Sequence, residues 1–302
     1  MFGAISRVLL LLAALTAVAV TEAHGGPILP ATIHREDVDV SRYPWSAVGK
    51  LFNETGSSCS GVLISRDEIL TAAHCLFNPR TRRFIRASSL HFLVGYRTGR
   101  YAAHVRIASY EIGPGFDPER YDQTSGSDWA VLTVTETLPD HIEPLRLRRD
   151  TAPAGTKAVL AGYPQDRAYA LTADRDCELR EKIGGGRLML HTCRGVSGTS
   201  GAPILVGEVG KDMQIAAIQI ARFRHEGVDK MLAIPAEAIV RLSRRLDPVV
   251  PIASQCFAQG AIDFGLIDIQ AKLSPDPFET VSSIRTSGDA WMVAEPLAIP
   301  AP

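Results

Sequence analysis

Short apolar stretches alternate with turn residues along most of the chain from Tyr43 onward, and this pattern predicts an all-β protein. Several stretches are rich in Val and Ile, which favour strands, whereas the gaps carry Gly, Pro, Asn or Asp, which favour turns. A run of three glycines, Gly184–Gly186, predicts the tip of a hairpin. The predicted strands are Ala47–Phe52, Gly61–Ile64, Leu90–Val94, Val105–Ser109, Ala130–Thr135, Ala158–Gly162 and Gln214–Ala221.

One segment near the end of this region breaks the β pattern. Pro235 stands where the first turn of a helix would begin, and Ile239, Leu242 and Leu246 follow at spacings of three and four residues. This spacing places the three apolar side chains on one face. It predicts an amphipathic helix over residues 235–246.

The first 23 residues have the pattern of a secretory signal peptide. Arg7 supplies the positive region, and a largely apolar run extends from Val8 to Val20. The small residue Ala23 offers a cleavage site before His24. A helix of this length rises about 20 Å, short of the roughly 30 Å hydrocarbon core of a bilayer, so a membrane anchor is the less favoured interpretation. The segment predicts an exported protein, secreted or periplasmic.

Composition and charge point away from several classes of function. The 302 residues are 46% hydrophobic and 22% charged, which is ordinary for a globular protein. The formal net charge of −1 gives no reason to expect nucleic acid or an anionic membrane as a partner. The chain has no His-Glu-x-x-His, Cys-x-x-Cys or EF-hand motif, so neither a metal site nor a cofactor is predicted. Two arginine clusters are interpreted as solvated surface loops: Arg80, Arg82, Arg83 and Arg86, and Arg146, Arg148 and Arg149.

All five cysteines follow the predicted cleavage site, and export makes disulfides plausible. Two sequence-local pairs suggest themselves, Cys59 with Cys75 and Cys177 with Cys193. A loop of that length is expected to contribute on the order of 3 kcal/mol, mainly by restricting the unfolded chain. The second pair closes the base of the hairpin that has the glycine run at its tip. Cys256 is left over as a buried free thiol, which we favour, or as an intermolecular bridge.

The strongest functional motif surrounds His74. The run Leu-Thr-Ala-Ala-His-Cys ends at Cys75, and Cys59 opens the strand that leads into it, so their disulfide would pin the turn that carries the histidine. This run resembles the histidine box of the trypsin/chymotrypsin superfamily, in which Thr-Ala-Ala-His-Cys is highly specific. The resemblance implies that His74 is the general base of a serine peptidase.

A second motif surrounds Ser200, in Ser-Gly-Thr-Ser-Gly-Ala-Pro over residues 197–203. Glycines on both sides permit the tight backbone that presents a hydroxyl and aims N–H groups at one point. By resemblance, Ser200 is the nucleophile, and the N–H groups of Gly198 and Ser200 are the oxyanion donors. Ser197 is the other serine nearby, but it lacks the Gly-x-Ser-Gly-x-Pro frame. Neither serine lies in the Gly-x-Ser-x-Gly motif of α/β-hydrolases.

The acid that orients the base is predicted to be Asp128. An aromatic residue and an apolar run follow it, and it lies between the other two motifs in the chain order His, Asp, Ser that the superfamily uses. Asp122 is the nearest competitor, but no strand-like apolar run follows it directly. The resemblance therefore implies a triad of His74, Asp128 and Ser200.

The resemblance covers roughly residues 35–247 and is closest to the bacterial glutamyl-endopeptidase-like branch. Trypsin-like enzymes have Asp immediately before the nucleophile, where it pairs with a new N-terminus after zymogen cleavage, but this chain has Thr199. Nor does an Ile-Val-Gly-Gly segment precede Pro44. We hypothesise that a terminal salt bridge does not activate this protein.

The predicted substrate specificity depends on three residues. The resemblance places Arg194, Gly195 and Gln219 in the pocket that receives the substrate side chain before the cleaved bond, the P1 side chain. Arg194 at the base of that pocket favours an acidic P1 residue, but it could equally point to solvent. The glutamate-specific branch carries histidine at the position of Gln219 and a hydroxyl residue at that of Gly195, and both departures weaken acidic selectivity.

The resemblance implies an all-β fold of two antiparallel six-stranded Greek-key β-barrels with a C-terminal helix. We expect an endopeptidase that acts on protein or peptide substrates, without nucleic acid or membrane, as a monomer. The alternatives are a catalytically idle binding module of the same fold, and an esterase with the same triad. The predicted segments are a signal peptide (1–23), an N-terminal segment or propeptide (24–42), a first barrel (43–145), a second barrel (146–247) and a Pro-rich C-terminal extension (248–302).

Overall fold

The computed structural model of this protein describes residues 35–54, 56–225, 228–243, 246 and 295–296. The predicted signal peptide, Cys256 and most of the predicted C-terminal extension lie outside the described residues. The strands are β1 Arg35–Asp37, β2 Val48–Asn53, β3 Ser58–Leu63, β4 Glu68–Thr71, β5 Phe77–Asn78, β6 Arg83–Phe84, β7 Leu90–Val94, β8 Ala103–Ile112, β9 Ala130–Val134, β10 Arg146–Leu147, β11 Lys157–Gly162, β12 Thr172–Ile183, β13 Leu188–His191, β14 Pro203–Val206, β15 Gln214–His225, β16 Val228–Pro235 and β17 Glu295–Pro296.

Helices are few and short, as an all-β fold requires. The α-helices are α1 Tyr121–Thr124 and α2 Ala236–Leu242, and the 3-10 turns are Trp45–Ala47, Ala73–Leu76, Ala87–Ser89, Pro118–Arg120, Ser125–Ser127, Gln165–Arg167 and Gly184–Gly186. No helix within these described residues is long and apolar enough to cross a membrane.

The first six-stranded sheet closes on itself in the order β2-β3-β4-β9-β8-β7. Its interior is filled by apolar side chains, and in β7 every second residue is buried, as expected for a strand with one face toward the core. Phe92 lies fully buried at the centre. A Cβ atom at Gly49 would lie 2.3 Å from Cζ of Phe92, so glycine at that position makes room for the aromatic ring. Small and large residues on facing strands thus fill the barrel together.

The second six-stranded sheet runs in the order β12-β11-β14-β15-β16-β13, and the pairing of β13 with β12 closes it. Three short strands extend this sheet, because β1 pairs with β12 and both β10 and β17 pair with β15. The prediction of two six-stranded antiparallel barrels is confirmed.

The strand β1 lies within residues 24–42, the segment that the sequence placed outside both barrels. Arg35 pairs with Asp174 and Asp37 pairs with Thr172 in the antiparallel ladder between β1 and β12. Arg167 strengthens the attachment, since its Nη1 lies 3.1 Å from Oδ1 of Asp37. Residues 35–37 therefore belong to the sheet of the second barrel. Their polar sequence gives no apolar alternation from which a strand could be predicted.

The C-terminal helix is shorter than the predicted 235–246. It ends at Leu242, because Ser243 is extended, with φ −82° and ψ 122°. The hydroxyl of Ser243 accepts the N–H of Leu246 at 3.4 Å, in place of a further helical carbonyl. Serine competes in this way for neighbouring backbone groups and so favours the end of a helix.

The buried face of α2 also differs in part from the prediction. Ile239 is fully buried as expected, but Leu242 is 37% exposed. Glu237 is buried instead and forms an ion pair with Lys182. The hydroxyl of Thr151 donates to the same carboxylate oxygen at 3.2 Å. This polar cluster accounts for an acidic residue on the inner face of the helix.

Both predicted disulfides are present, Cys59–Cys75 and Cys177–Cys193. The predicted hairpin tip is also confirmed, because Gly184, Gly185 and Gly186 all adopt positive φ between the two arms β12 and β13. Glycine adopts this conformation without the steric cost of a Cβ atom.

Candidate active site

His74 lies on the 3-10 turn Ala73–Leu76, which directly follows β4. Its neighbour Cys75 is bonded to Cys59 on β3, so the disulfide fixes the turn to the first barrel. The imidazole is 9% exposed. A ring nitrogen of His74 and both sulfur atoms lie within 4.8 Å of one another, but sulfurs joined in a disulfide are not thiolate ligands for a metal ion.

Asp128 contacts His74 twice. Its Oδ2 lies 2.6 Å from Nδ1 of the imidazole, and its Oδ1 accepts the backbone N–H of His74 at 2.8 Å. Since the carboxylate is fully buried and only accepts, we assign the proton of the ring to Nδ1. Nε2 is then an acceptor, which is the form a general base needs. Asp122, the competing acid, is exposed on α1 and makes neither contact.

Tyr121 is a third member of this cluster that sequence reasoning missed. Its hydroxyl donates to Oδ2 of Asp128 at 2.8 Å, and its ring packs edge-on against His74 with centroids 6.3 Å apart. Burial and the adjacent Asp128 charge raise the pKa of this phenol well above 10, so it stays protonated and acts as a donor. No spacing or periodicity in the sequence connects a tyrosine seven residues upstream with the acid.

Ser200 lies in a tight loop between β13 and β14, flanked by two glycines with positive φ. Gly201 is packed against the strand that leads to His74, because a Cβ atom there would lie 2.2 Å from Oγ1 of Thr71 and 2.8 Å from the backbone nitrogen of Ala72. The carbonyl of Ser200 accepts the N–H of Ser60 at 2.8 Å. The structure thus places the serine loop beside the turn that carries the histidine.

Two reactive atoms of this cluster have no partner. Nε2 of His74 and Oγ of Ser200 are both buried, and neither is hydrogen-bonded within the described part of the chain. Buried polar atoms in native proteins are nearly always hydrogen-bonded, and exceptions call for an explanation such as catalysis. The contact between a nucleophile and its base is often long before substrate binds.

The backbone donors of the loop are also available. Within the described residues, the N–H groups of Gly198 and Ser200 make no hydrogen bond, whereas those of Thr199 and Gly201 bond to Val196 and Gln219. An available pair beside the serine hydroxyl is what an oxyanion hole requires.

Part of the chain matches a known protein family. The family profile described as Trypsin matches residues 33–179, a range that contains His74 and Asp128 and ends before Ser200. This part of the chain, just under half of it, is similar to the trypsin-like serine proteases.

Several curated proteins resemble part of this trypsin-like chain. Trypsin theta of Drosophila erecta is 30% identical over 132 residues, 42% of this chain and 46% of that protein. The cercarial protease of Schistosoma mansoni is 30% identical over 165 residues, 49% of this chain and 57% of that protein. Serine protease SP24D of Anopheles gambiae is 29% identical over 162 residues, 47% of this chain and 56% of that protein. The chain thus spans about half the length of these relatives.

A solved structure of a Glu endopeptidase in complex with MPD shares the fold. It superposes with a TM-score of 0.58 at 20% sequence identity, over 69% of this chain and 94% of that one. At this identity the likeness concerns the fold alone. It agrees with the two closed barrels described above.

Ser60 links the two barrels of this trypsin-like chain. Its hydroxyl donates to the carbonyl of Gly198 at 2.8 Å and accepts the N–H of Tyr163 at 2.8 Å, while its carbonyl accepts the hydroxyl of Thr71 at 2.8 Å. With its N–H bonded to Ser200, this one residue holds the serine loop against the first barrel. The sequence shows Ser60 only as a residue inside the strand after Cys59.

Ser60→Ala is expected to lower the free energy of unfolding by about 2 kcal/mol, because it leaves the buried N–H of Tyr163 and the carbonyl of Gly198 without their partner. Urea-induced unfolding measures the change. Ser65→Ala is a matched control, since the Ser65 hydroxyl bonds to exposed Asp67 and its removal is expected to cost less than about 0.5 kcal/mol. Equal losses in the two variants would show that Ser60 is not a structural link.

Thr199 directly precedes Ser200 in the serine loop. It is buried, and its hydroxyl donates to the carbonyl of Val196 at 2.7 Å and accepts the N–H of the same residue at 3.1 Å. Hydrogen bonds within the loop therefore hold it closed. Thr199 offers no charge with which a chain terminus could form a salt bridge.

The residues predicted to line the substrate pocket are partly brought together. A Cβ atom at Gly195 would lie 2.8 Å from Cδ of Gln219, so the glycine makes room for the Gln219 side chain. Gln219 is fully buried, and its Nε2 donates to the carbonyl of Ala221 at 2.8 Å. The half-buried Arg194 donates its backbone N–H to Oδ2 of the buried Asp174 at 2.8 Å. Asp174 is a carboxylate in this region that the sequence did not indicate.

Proposed function

We propose that this protein is a secreted serine endopeptidase that hydrolyses peptide bonds through an acyl-enzyme intermediate. The observation that carries the proposal is the hydrogen bond between Asp128 and Nδ1 of His74, together with two buried atoms, Nε2 of His74 and Oγ of Ser200, that have no partner among the described residues. Both atoms are the ones that a serine peptidase uses. The similarity of residues 33–179 to trypsin-like serine proteases supports the same reaction.

In the first half of the reaction, Oγ of Ser200 attacks the carbonyl carbon of the substrate while Nε2 of His74 takes the hydroxyl proton. Asp128 holds the imidazole in its tautomer and stabilises the positive charge that forms. The N–H groups of Gly198 and Ser200 bind the developing oxyanion. His74 then gives its proton to the leaving amine, and the acyl group stays on Ser200.

In the second half, water takes the place of the amine. His74 removes a proton from the water, the resulting hydroxide adds to the acyl carbon, and collapse of the adduct returns the proton to Oγ of Ser200. The carboxylic acid product leaves and the free enzyme is restored. In this cycle the chain supplies the nucleophile, the base, the acid that orients the base and the oxyanion donors, and the solvent supplies the water.

Two finer features of the proposal rest on single residues. Arg194 is the basis for selectivity toward an acidic P1 side chain, and a peptide library cleaved equally after Glu and Leu would remove that basis. Thr199 is the basis for activation without a terminal salt bridge. If a form with residues appended ahead of Tyr43 stayed inactive until trimmed to a defined N-terminus, this route would be wrong.

The proposal is tested by incubating the secreted protein with an unfolded protein substrate, with and without prior treatment by a fluorophosphonate probe. We expect cleavage within the chain, one covalent label per molecule and loss of cleavage after labelling, because the probe reacts with an activated serine. Absence of both cleavage and labelling indicates an idle binding module. Hydrolysis of esters but not of peptides indicates an esterase. Either result overturns the proposal.

A further inference from the structure

The carboxylate of Asp128 has three donors around it, and one of them comes from outside the triad. Oδ1 accepts the backbone N–H of His74, whereas Oδ2 accepts both Nδ1–H of the imidazole at 2.6 Å and the hydroxyl of Tyr121 at 2.8 Å. The two hydrogen bonds to Oδ2 therefore share one oxygen. The hydrogen bond from the phenol therefore reduces the negative charge that Oδ2 presents to the imidazole.

The position of Tyr121 is fixed by the loop that carries it. The side chain of Asp117 accepts the N–H of Glu119 at 3.0 Å, and the hydroxyl of Thr124 donates to the carbonyl of Asp117 at 2.8 Å. Phe116 packs edge-on against the Tyr121 ring, with centroids 6.2 Å apart. The phenol is consequently held between an aromatic neighbour on one side and His74 on the other.

We propose that Tyr121 is a positioning residue of the active site, which orients Asp128 and moderates its interaction with His74 through the shared oxygen Oδ2. This inference rests on the proposed function. The charged and titratable groups around the phenol are His74, Asp128 and the exposed Asp122, of which only Asp128 bonds to the phenol. The Tyr121 hydroxyl donates its hydrogen bond to Asp128, so the effect of this hydroxyl on the reaction passes through Asp128.

The consequence for activity has a defined direction. In Tyr121→Phe, Oδ2 loses one donor and presents more negative charge to the imidazole, which favours the protonated ring. The acid limb of the pH profile of kcat/KM is therefore expected to move to higher pH. We expect kcat to fall between about three- and tenfold, as for the loss of one ordinary hydrogen bond, with KM nearly unchanged. A purely structural role for the ring would not move the acid limb.

Tyr110→Phe provides the matched control. The Tyr110 hydroxyl donates to the carbonyl of Ile85 at 2.8 Å in a half-buried position outside the active site. We expect its removal to leave kcat, KM and the acid limb unchanged. An acid limb in Tyr121→Phe that coincides with those of wild type and Tyr110→Phe overturns the proposal.

A second measurement separates this proposal from the proposed function. The Nδ1 proton of His74 can be followed by proton NMR at low field in Ser200→Ala protein, in which no turnover takes place. We expect Tyr121→Phe to move this resonance further downfield, because the remaining hydrogen bond to Oδ2 becomes stronger. An unchanged resonance rejects the role of Tyr121. Failure of wild-type protein to cleave any substrate rejects the peptidase function and leaves the NMR test standing.

Discussion

Replacement of Ser200 by alanine is expected to lower the turnover of a peptide substrate by a factor of about 10⁶ and to abolish labelling by a fluorophosphonate. In the proposed mechanism, Oγ of Ser200 forms the bond to the acyl group, so no neighbouring side chain takes over its role. Cleavage of a chromogenic peptide measures the loss, and gel fluorescence of the labelled protein measures the second effect. Labelling that survives the substitution places the nucleophile elsewhere.

The same substitution is expected to leave the fold intact. The loss of turnover in Ser200→Ala is then catalytic and does not result from unfolding. Within the part of the chain that the structure describes, Oγ of Ser200 is buried without a hydrogen-bond partner, so its removal breaks no hydrogen bond there and relieves the cost of an unsatisfied hydroxyl. The free energy of unfolding is expected to stay equal or to rise slightly. Ser197→Ala is the control, because it removes a hydroxyl from the same loop. We expect that variant to retain both labelling and turnover.

The members of the proposed triad can be named from the sequence because local motifs surround two of them. His74 is framed by two cysteines that form the expected disulfide, and Ser200 by two glycines whose positive φ the loop requires. The assignment of Asp128 as the acid depends on its position in the chain between these two motifs. The structure brings Asp128 and His74 into direct contact and leaves Asp122 exposed.

The residues that support the triad were not predictable, since their partners are distant in the chain. The Ser60 hydroxyl bonds to Tyr163 and Gly198, more than 100 residues away, and no local pattern encodes such a pairing. Tyr121 is near Asp128 in sequence, but only the path of the intervening loop turns its hydroxyl toward the carboxylate. Helix α2 ends earlier than predicted, just before Ser243, whose hydroxyl accepts a backbone N–H. The spacing of apolar residues, from which the helix was predicted, contains no information about this contact.

His191 shows a similar limit of sequence reasoning. Sequence analysis did not distinguish it from a surface histidine, yet it lies on β13 and is only 4% exposed. The Gln219 amide approaches the ring and slightly raises its pKa, but the two make no well-aligned hydrogen bond. Both ring nitrogens and Oε1 of Gln219 stay unpartnered within the described structure. Burial dominates and lowers the pKa of His191 to about 4.

This depressed pKa makes the fold sensitive to acid. In the unfolded chain a histidine titrates near pH 6.5, so between pH 6.5 and 4 the unfolded state binds a proton that the folded state refuses. The free energy of unfolding therefore falls as the pH falls through this window. The pKa difference corresponds to a total loss of about 3 kcal/mol below pH 4 and to none above about pH 7.5.

His191→Leu is expected to remove this loss, because leucine has no group that takes up a proton in the unfolded chain. Relative to its difference from wild type at pH 7.5, the variant should gain about 2 kcal/mol of unfolding free energy at pH 5. Urea-induced unfolding in the Ser200→Ala background gives these values without self-cleavage. His141→Leu, at an exposed histidine, is expected to show no such gain. If the free energies of unfolding of His191→Leu and wild type differ by the same amount at pH 7.5 and pH 5, the imidazole takes up its proton in the folded state as well. The interior of the second barrel would then admit water or a counter-charge at His191.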